Sequence, residues 1–187
     1  FHFFHDDVLD GYDCLDWVAE QHWCDGNIGM QGSSYLGSTQ LLAARTQHPA
    51  LKCIMPTAFL GNFTVLFPYM NGLPMRSLFM QWNKVVDLES MDGLDAAYGD
   101  IALLNHPVWV KAFRHRPLID AANEVLTGDK LKSWKASMAH PLDDEYWADI
   151  HFTDEVLLAL ELPMFFTDGW YDSTIGPIDF FTRLETL

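Results

Sequence analysis

The stretch "NIGMQGSSYLGSTQLLAARTQ" (Asn27 to Gln47) constrains this chain more than any other. "IGMQG" has the length and apolar content of a short buried strand, and "SYLGSTQLLAARTQ" carries its apolar residues at helical spacing. Between them stand only small residues, with no proline and no charge, so the chain must turn from strand to helix at once. The flanks follow the same logic. "DVLDGYDCLDWVAEQHW" (Asp7 to Trp23) places Val8, Tyr12, Leu15, Val18 and Ala19 on one helical face, with acidic residues near the start where the helix dipole favours them. "CDGN" is a turn signal. "LKCIMPTA" (Leu51 to Ala58) reads as a second buried strand. Helix, strand, tight turn, helix, strand is the alternation of a parallel sheet with helices packed on it, an α/β class.

A strand that runs through Gly-x-Ser-x into a helix is the nucleophile elbow of α/β-hydrolases. The turn admits only small residues at its flanks and thrusts one hydroxyl above the sheet edge. The next backbone N–H and the helix dipole then face the oxyanion of an acyl-transfer intermediate. Here Gly32 is the leading glycine, Ser34 the candidate nucleophile and Tyr35 the residue whose N–H would donate. Ser33 competes, but Gln31 stands where its leading glycine should be. The pattern also departs from the usual one: Leu36 occupies the second position after the serine, and glycine falls at Gly37.

Beyond Ala58 the pattern changes. Residues 59 to 153 mix aromatic, Met, Gly and Pro residues with helical patches such as "PVWVKAFRHRPLID" and "NEVLTGDKLKSWKASMA", and no convincing alternating strand appears. "LPMFFTDGWYD" (Leu162 to Asp172) returns to strand chemistry, and "IGPIDFFTRLETL" opens another helix. The expected organisation is a hydrolase core over residues 1–58, a mostly helical cap insertion over 59–155, and a return to the core over 156–187.

"AEQHWCDGNIGMQGSSYLGSTQ" resembles the nucleophile region of the cocaine esterase and Xaa-Pro dipeptidyl-peptidase family of serine hydrolases (the CocE/NonD type). That resemblance accounts for the shifted glycine, since the family carries G-x-S-Y-x-G after a W-C-D-G run. "DGWYDS" is similar to the segment whose aspartate orients the catalytic histidine, and "HPLDDEYW" (His140 to Trp147) to the stretch leading out of the cap. The resemblance implies Ser34 as nucleophile and Asp172 as the carboxylate that holds the base histidine. Asp154, Asp168 and Asp179 are nearby acids without that aromatic context.

In this fold the histidine follows the aspartate, yet the last of the eight histidines, His151, precedes it. The base is therefore expected downstream of Leu187, and a second oxyanion donor upstream of Phe1. The chain reads as an internal piece of a longer protein that would be nearly inactive by itself, since a serine without its base is a weak nucleophile. Ser34 and Asp172 are expected at adjacent strand ends.

Substrate recognition falls to aromatics. Trp170 and Tyr171 beside Asp172 are the foremost wall candidates, with Phe59 and Trp82, and further Phe63, Phe67, Tyr69 and Trp109. Amino-acid ester hydrolases of the family bind the substrate ammonium with acids two and three positions after the aspartate. Thr174 and Ile175 stand there, which argues against that subgroup. An ester or amide with a bulky apolar acyl group is the expected substrate; Xaa-Pro dipeptidyl-peptidase activity is the alternative. A third reading, from another class, is a non-catalytic remnant serving as a binding or structural module.

The net charge of −15 (26 acidic, 11 basic residues) repels nucleic acid and anionic lipid. No apolar run reaches the ~18 residues of a membrane span. No cofactor is implied, and His2, His5, Asp6 and Asp7 lack a second cluster at ligand spacing, so no metal is expected. Asp143, Asp144 and Glu145 read as a solvated helix start. Cys14, Cys24 and Cys53 are odd in number and lack a CxxC pair; they read as small buried hydrophobes, which favours a reducing, cytoplasmic setting. The oligomeric state is left open.

Overall fold

In the computed structural model, which describes residues 4–62, 68–70, 72–85, 107–126, 128–142, 144–172 and 175–187, the alternation expected from sequence is present. Helix α1 (Asp7–Ala19) leads into strand β1 (Ile28–Ser33), helix α2 (Tyr35–Arg45) and strand β2 (Leu51–Thr57). α1 stops short of Trp23, closed by backbone bonds from Glu20 to Asp16 and from Gln21 to Val18. β1 and β2 pair in parallel, with Met30 opposite Ile54 and Ser33 opposite Thr57.

Residues 163 to 167 extend the sheet on the far side of β2. The Ile54 N–H donates to the Pro163 carbonyl at 3.1 Å, Phe165 N–H to Ile54 at 3.0 Å, and Ala58 N–H to Thr167 at 2.9 Å. Two parallel bridges, Ile54 to Met164 and Thr57 to Thr167, carry this pairing. Pro56 and Pro163 have no N–H to give, which keeps the ladder discontinuous. The order is β1, β2, then residues 163–167, all running the same way.

The core lies between this sheet and its helices. Leu41, Leu42, Ile54 and Phe180 are fully enclosed, the last on helix α7 (Gly176–Thr186). Between the two halves of the sheet come a two-residue hairpin, β3 (Tyr69–Met70) with β4 (Leu73–Pro74), then helices α3 (Arg76–Val85), α4 (Pro107–Arg114), α5 (Gly128–Ala139) and the short α6 (Asp154–Leu158). The hairpin corrects the expectation of a strand-free stretch. Its strands are too short to show the alternation by which strands are read. α3 packs on α5, where Phe79 stacks on the buried Trp134 at 5.6 Å.

The segment is tied to the core at Phe152. Asn62 pairs with both backbone groups of Phe152, accepting from its N–H at 2.9 Å and donating to its carbonyl at 3.3 Å. Arg45 of α2 donates to the carbonyls of His151 and Ala148, and Arg183 of α7 to that of Phe152. All three cysteines are free, but they are not the buried hydrophobes expected: Cys14 is exposed, and Cys24 and Cys53 are half-buried. Among the described residues no helix is long and apolar enough to cross a membrane.

Candidate active site

β1 ends at Ser33, and Ser34 alone makes the turn into α2, with φ 61° and ψ −122°. That region is rarely open to a residue with a β-carbon and persists only where the surroundings enforce it. They do so here through the backbone. The Ser34 N–H donates to the Thr57 carbonyl at 3.0 Å, and the Ser34 carbonyl accepts from the N–H groups of Gly37 and Ser38 at 3.0 and 3.1 Å. Ser33 has ordinary strand pairing with Thr57. The geometry therefore separates the two serines, and Ser34 presents an exposed side chain at the C-terminal end of the sheet. Tyr35 is the first residue of α2, where N–H groups have no partner within the helix and the dipole is positive.

Two glycines make this turn possible. A β-carbon on Gly32 would lie 2.7 Å from the Leu36 β-carbon, and one on Gly37 would lie 2.8 Å from the Thr57 carbonyl oxygen. Position 37, not 36, faces the sheet. Leu36 points outward and is 63% exposed, which gives the displaced glycine its physical reason.

Sequence reasoning missed two supports of the turn. Gln40 is buried; its amide nitrogen donates to the carbonyls of Leu36 (2.7 Å) and Gly32 (3.2 Å), while its oxygen accepts from the Met55 N–H at 3.0 Å. Asp7 accepts from the Tyr35 hydroxyl. Burial raises the Asp7 carboxyl above its ordinary pKa, and the Tyr35 bond opposes that rise. Burial and the Asp7 bond lift the Tyr35 phenol well above its usual range. No local pattern could have revealed Asp7, because 28 residues separate it from Tyr35.

Asp172 lies on the loop that leaves residues 163–167, exposed, with its N–H donating to the Gly169 carbonyl at 2.9 Å. Because the strands are parallel, this loop and Ser34 share the C-terminal end of the sheet. The expectation of adjacent strand ends needs correction: β2 lies between the two, since residues 163–167 pair with β2 and not with β1. Of the other acids, Asp154 and Asp179 both face Arg183, at 2.6 and 3.6 Å. Asp168 accepts from the Gly169 N–H, and its carboxyl is raised by burial and by the nearby Asp172.

The expected wall residues part company. Trp170 and Tyr171 project into solvent, 90% and 103% exposed. Trp82 stacks on Tyr35 with 6.1 Å between ring centroids. Phe59 is core, not wall: it is 0% exposed and packs against Phe166 and Phe180. Tyr69 and Trp109 are likewise buried. Phe63, Phe67, His2, His106 and Asp143 lie outside the described residues.

His48 sits at the opposite end of the sheet from Ser34, its Nδ1 accepting from Ala50 and its Nε2 donating to Asp16 at 3.0 Å. His140 bonds Asp144 at 2.8 Å and holds that carboxyl below its ordinary pKa. Asp144 caps a short 3-10 turn (Glu145–Trp147), accepting from the Tyr146 N–H at 3.0 Å. His5 packs against the rings of Tyr146 and Trp147. Among the described residues no group of His, Cys, Asp and Glu is set to hold a metal ion.

Comparison with known proteins agrees with this layout. The family model described as X-Pro dipeptidyl-peptidase (S15 family) matches residues 1–187. The cocaine esterase of Rhodococcus sp. (strain MB1 Bresler) is 33% identical over 184 residues, covering 91% of this chain and 30% of that esterase. An α-amino acid ester hydrolase of known structure superposes with a TM-score of 0.69 at 20% identity, over 97% of this chain and 29% of that one. An aminopeptidase from a marine sediment archaeon, Thaumarchaeota archaeon, gives 0.68 at 21% identity, over 97% and 30%. The chain thus spans about 30% of the length of the cocaine esterase that it matches.

Proposed function

This chain belongs to the X-Pro dipeptidyl-peptidase (S15) family, and from that premise we propose that it supplies the nucleophile and the orienting carboxylate of a serine hydrolase acting on esters or amides. Ser34 Oγ attacks the substrate carbonyl, forming an acyl-enzyme that water then releases. The Tyr35 N–H stabilises the oxyanion, and the α2 dipole adds to it. Asp172 holds the base histidine in one tautomer and balances its positive charge during proton transfer. The last histidine of the sequence, His151, precedes Asp172. The segment from 59 to 155 acts as the cap, with Trp82 on its inner side and Trp170 and Tyr171 at the rim, where an apolar acyl or leaving group would be covered.

The observation that carries this reading is the Ser34 backbone, φ 61° and ψ −122°, at the junction of β1 and α2. A turn strained in this way supports that reading, because a nucleophile elbow needs such a backbone to present one hydroxyl at a helix N-terminus. The test is labelling of the intact protein with a fluorophosphonate probe, followed by location of the modified peptide. Modification at Ser34, lost in Ser34→Ala together with turnover of p-nitrophenyl esters, is expected. Turnover retained in Ser34→Ala rejects the nucleophile assignment.

The family description favours a second reading of the same machinery, cleavage after an Xaa-Pro dipeptide. Comparing kcat/KM for Ala-Pro-p-nitroanilide with that for p-nitrophenyl butyrate decides between peptidase and esterase use.

A further inference from the structure

The segment "PVWVKAFRHRP" (Pro107 to Pro117) gathers Lys111, Arg114 and Arg116 in a chain with 11 basic residues and a net charge of −15. Elsewhere on so acidic a protein, cations face acids: Lys132 pairs with Asp129 at 2.7 Å and Arg183 with Asp154 at 2.6 Å, and Lys111 of this segment pairs with Glu124. Arg116 faces another cation instead. It lines one groove with Arg76, the first residue of α3. Burial, and then repulsion by Arg116, lowers the pKa of the Arg76 guanidinium from its ordinary value. Among the described residues neither arginine has an acid within ion-pair distance. Arg116 donates to the adjacent His115 carbonyl at 2.7 Å, and Asp120, close by on the same turn, is held by Lys135 at 3.6 Å and Asn123 at 3.3 Å.

The groove has a volume of about 600 Å³ and an apolar floor of Met75, Leu78, Phe113 and Leu118. That size falls within the roughly 300–1,000 Å³ of pockets that take small organic molecules. Its two walls hang from one buried ring. Phe79 of α3 stacks on Trp134, and the Trp134 indole N–H donates to the Ile119 carbonyl at 3.1 Å, next to Leu118. The shape is therefore built into the fold before anything binds.

Two guanidinium groups facing each other without a counter-charge repel, and an anion between them relieves that repulsion. Their planar forks match the paired oxygens of a carboxylate. The floor decides what the carboxylate is attached to: a hydrated inorganic ion gains nothing from Met75, Leu78, Phe113 and Leu118, whereas an apolar body buries them. This place is separate from the Ser34 turn. Trp82, which stacks on Tyr35, lies six residues further along α3, about 9 Å at ~1.5 Å per residue.

We propose that the groove between α3 and α4 is a binding site for an amphiphilic carboxylate, its head held by Arg76 and Arg116 and its apolar body laid over Met75, Leu78, Phe113 and Leu118. Such a site stands whatever the role of Ser34.

The experiment is calorimetric titration of the intact protein with decanoate, with acetate, 1-decanol and decyl phosphate as comparisons. Wild type should take up one decanoate per chain. Acetate lacks the body and decanol the charge, so each should bind at least about tenfold more weakly, a bond to a charged group being worth roughly that factor. Raising the salt should weaken decanoate, because the arginines are reached by solvent. Arg76→Gln and Arg116→Gln should each weaken decanoate about tenfold, with ester turnover and melting temperature close to wild type. Ser77→Glu provides a check that leaves both arginines in place. Ser77 is exposed, lines the groove and stands in the first turn of α3, where an acid is favourable. Its carboxylate should occupy the arginines and abolish decanoate binding in a protein at least as stable as wild type.

No saturable decanoate binding by wild type, equal binding by the three variants, or decanol bound as tightly as decanoate overturns the site. Decyl phosphate bound more tightly than decanoate overturns the carboxylate assignment. Should an arginine variant fail to fold, Ser77→Glu decides: unchanged decanoate binding in that variant is enough to reject the groove.

Discussion

Gly37 and Ser34 meet at a single oxygen, the Thr57 carbonyl. It accepts the Ser34 N–H at 3.0 Å, and a β-carbon on Gly37 would stand 2.8 Å from it. The glycine that sits one place later than usual therefore protects the bond that holds the strained serine. Gly37→Ala should push α2 off β2 and loosen Ser34. Overpacking of this kind costs about 1–3 kcal/mol, and kcat should fall with stability. Chemical denaturation and ester turnover of the intact protein check both. Unchanged values for both would mean that the approach is slack.

Gln40 joins α2 to both strands from inside the core. Replacing it with Leu, which has similar bulk and no polar atoms, removes the partner of the Met55 N–H and one acceptor bond each from Leu36 and Gly32. Leaving buried backbone groups unmet costs about 1–3 kcal/mol. Gln40→Leu should therefore lower the denaturation midpoint and slow Ser34 labelling. Gln40→Glu should keep the Met55 bond and lose the donations to Leu36 and Gly32. A Leu variant as stable as wild type would show that water replaces the amide.

Asn62 closes the joint between the inserted segment and the core by pairing with both backbone groups of Phe152. In Asn62→Ala the Phe152 carbonyl still accepts from Arg183, but its N–H loses the partner recorded here. The expected loss is about 1–3 kcal/mol. Because the defect lies away from Ser34, proteolysis of the inserted segment should rise more than kcat falls. Equal protease resistance in variant and wild type would contradict this role.

How far the sequence reaches depends on the range of the interaction. The β1–turn–α2 unit was legible because its determinants, Gly32, Ser34 and Gly37, lie within one short run and act through sterics. Residues 163–167 read as a strand from their apolar content, but their place beside β2 follows from pairing across more than a hundred residues. That is why Ser34 and Asp172 were expected one strand too close. Phe59 looked like a pocket wall because composition cannot separate a wall from a core. Its burial is set by α7, whose Gly176 N–H donates to the Phe59 carbonyl at 3.2 Å. Asp7 read as a helix-dipole acid, and only the fold brings Tyr35 to it.

The Asp7 carboxyl carries a pH signature of its own. Burial outweighs the Tyr35 bond, and the neighbouring Asp10 and Asp6 add to the rise, so its pKa in the folded protein lies above the ordinary 3.8. The folded state then binds this proton more tightly than the unfolded chain does. The stabilisation is complete below the unfolded value and is lost as pH rises through the folded one. Asp7→Asn does not titrate, so its melting temperature relative to wild type should climb as pH is raised from about 3 and level off by about 7. Asp10→Asn, with Asp7 intact, should show a weaker trend of the same sign, because it only removes a repelling neighbour. A gap between Asp7→Asn and wild type that stays constant or narrows with rising pH would mean that the Tyr35 bond, and not burial, dominates the carboxyl.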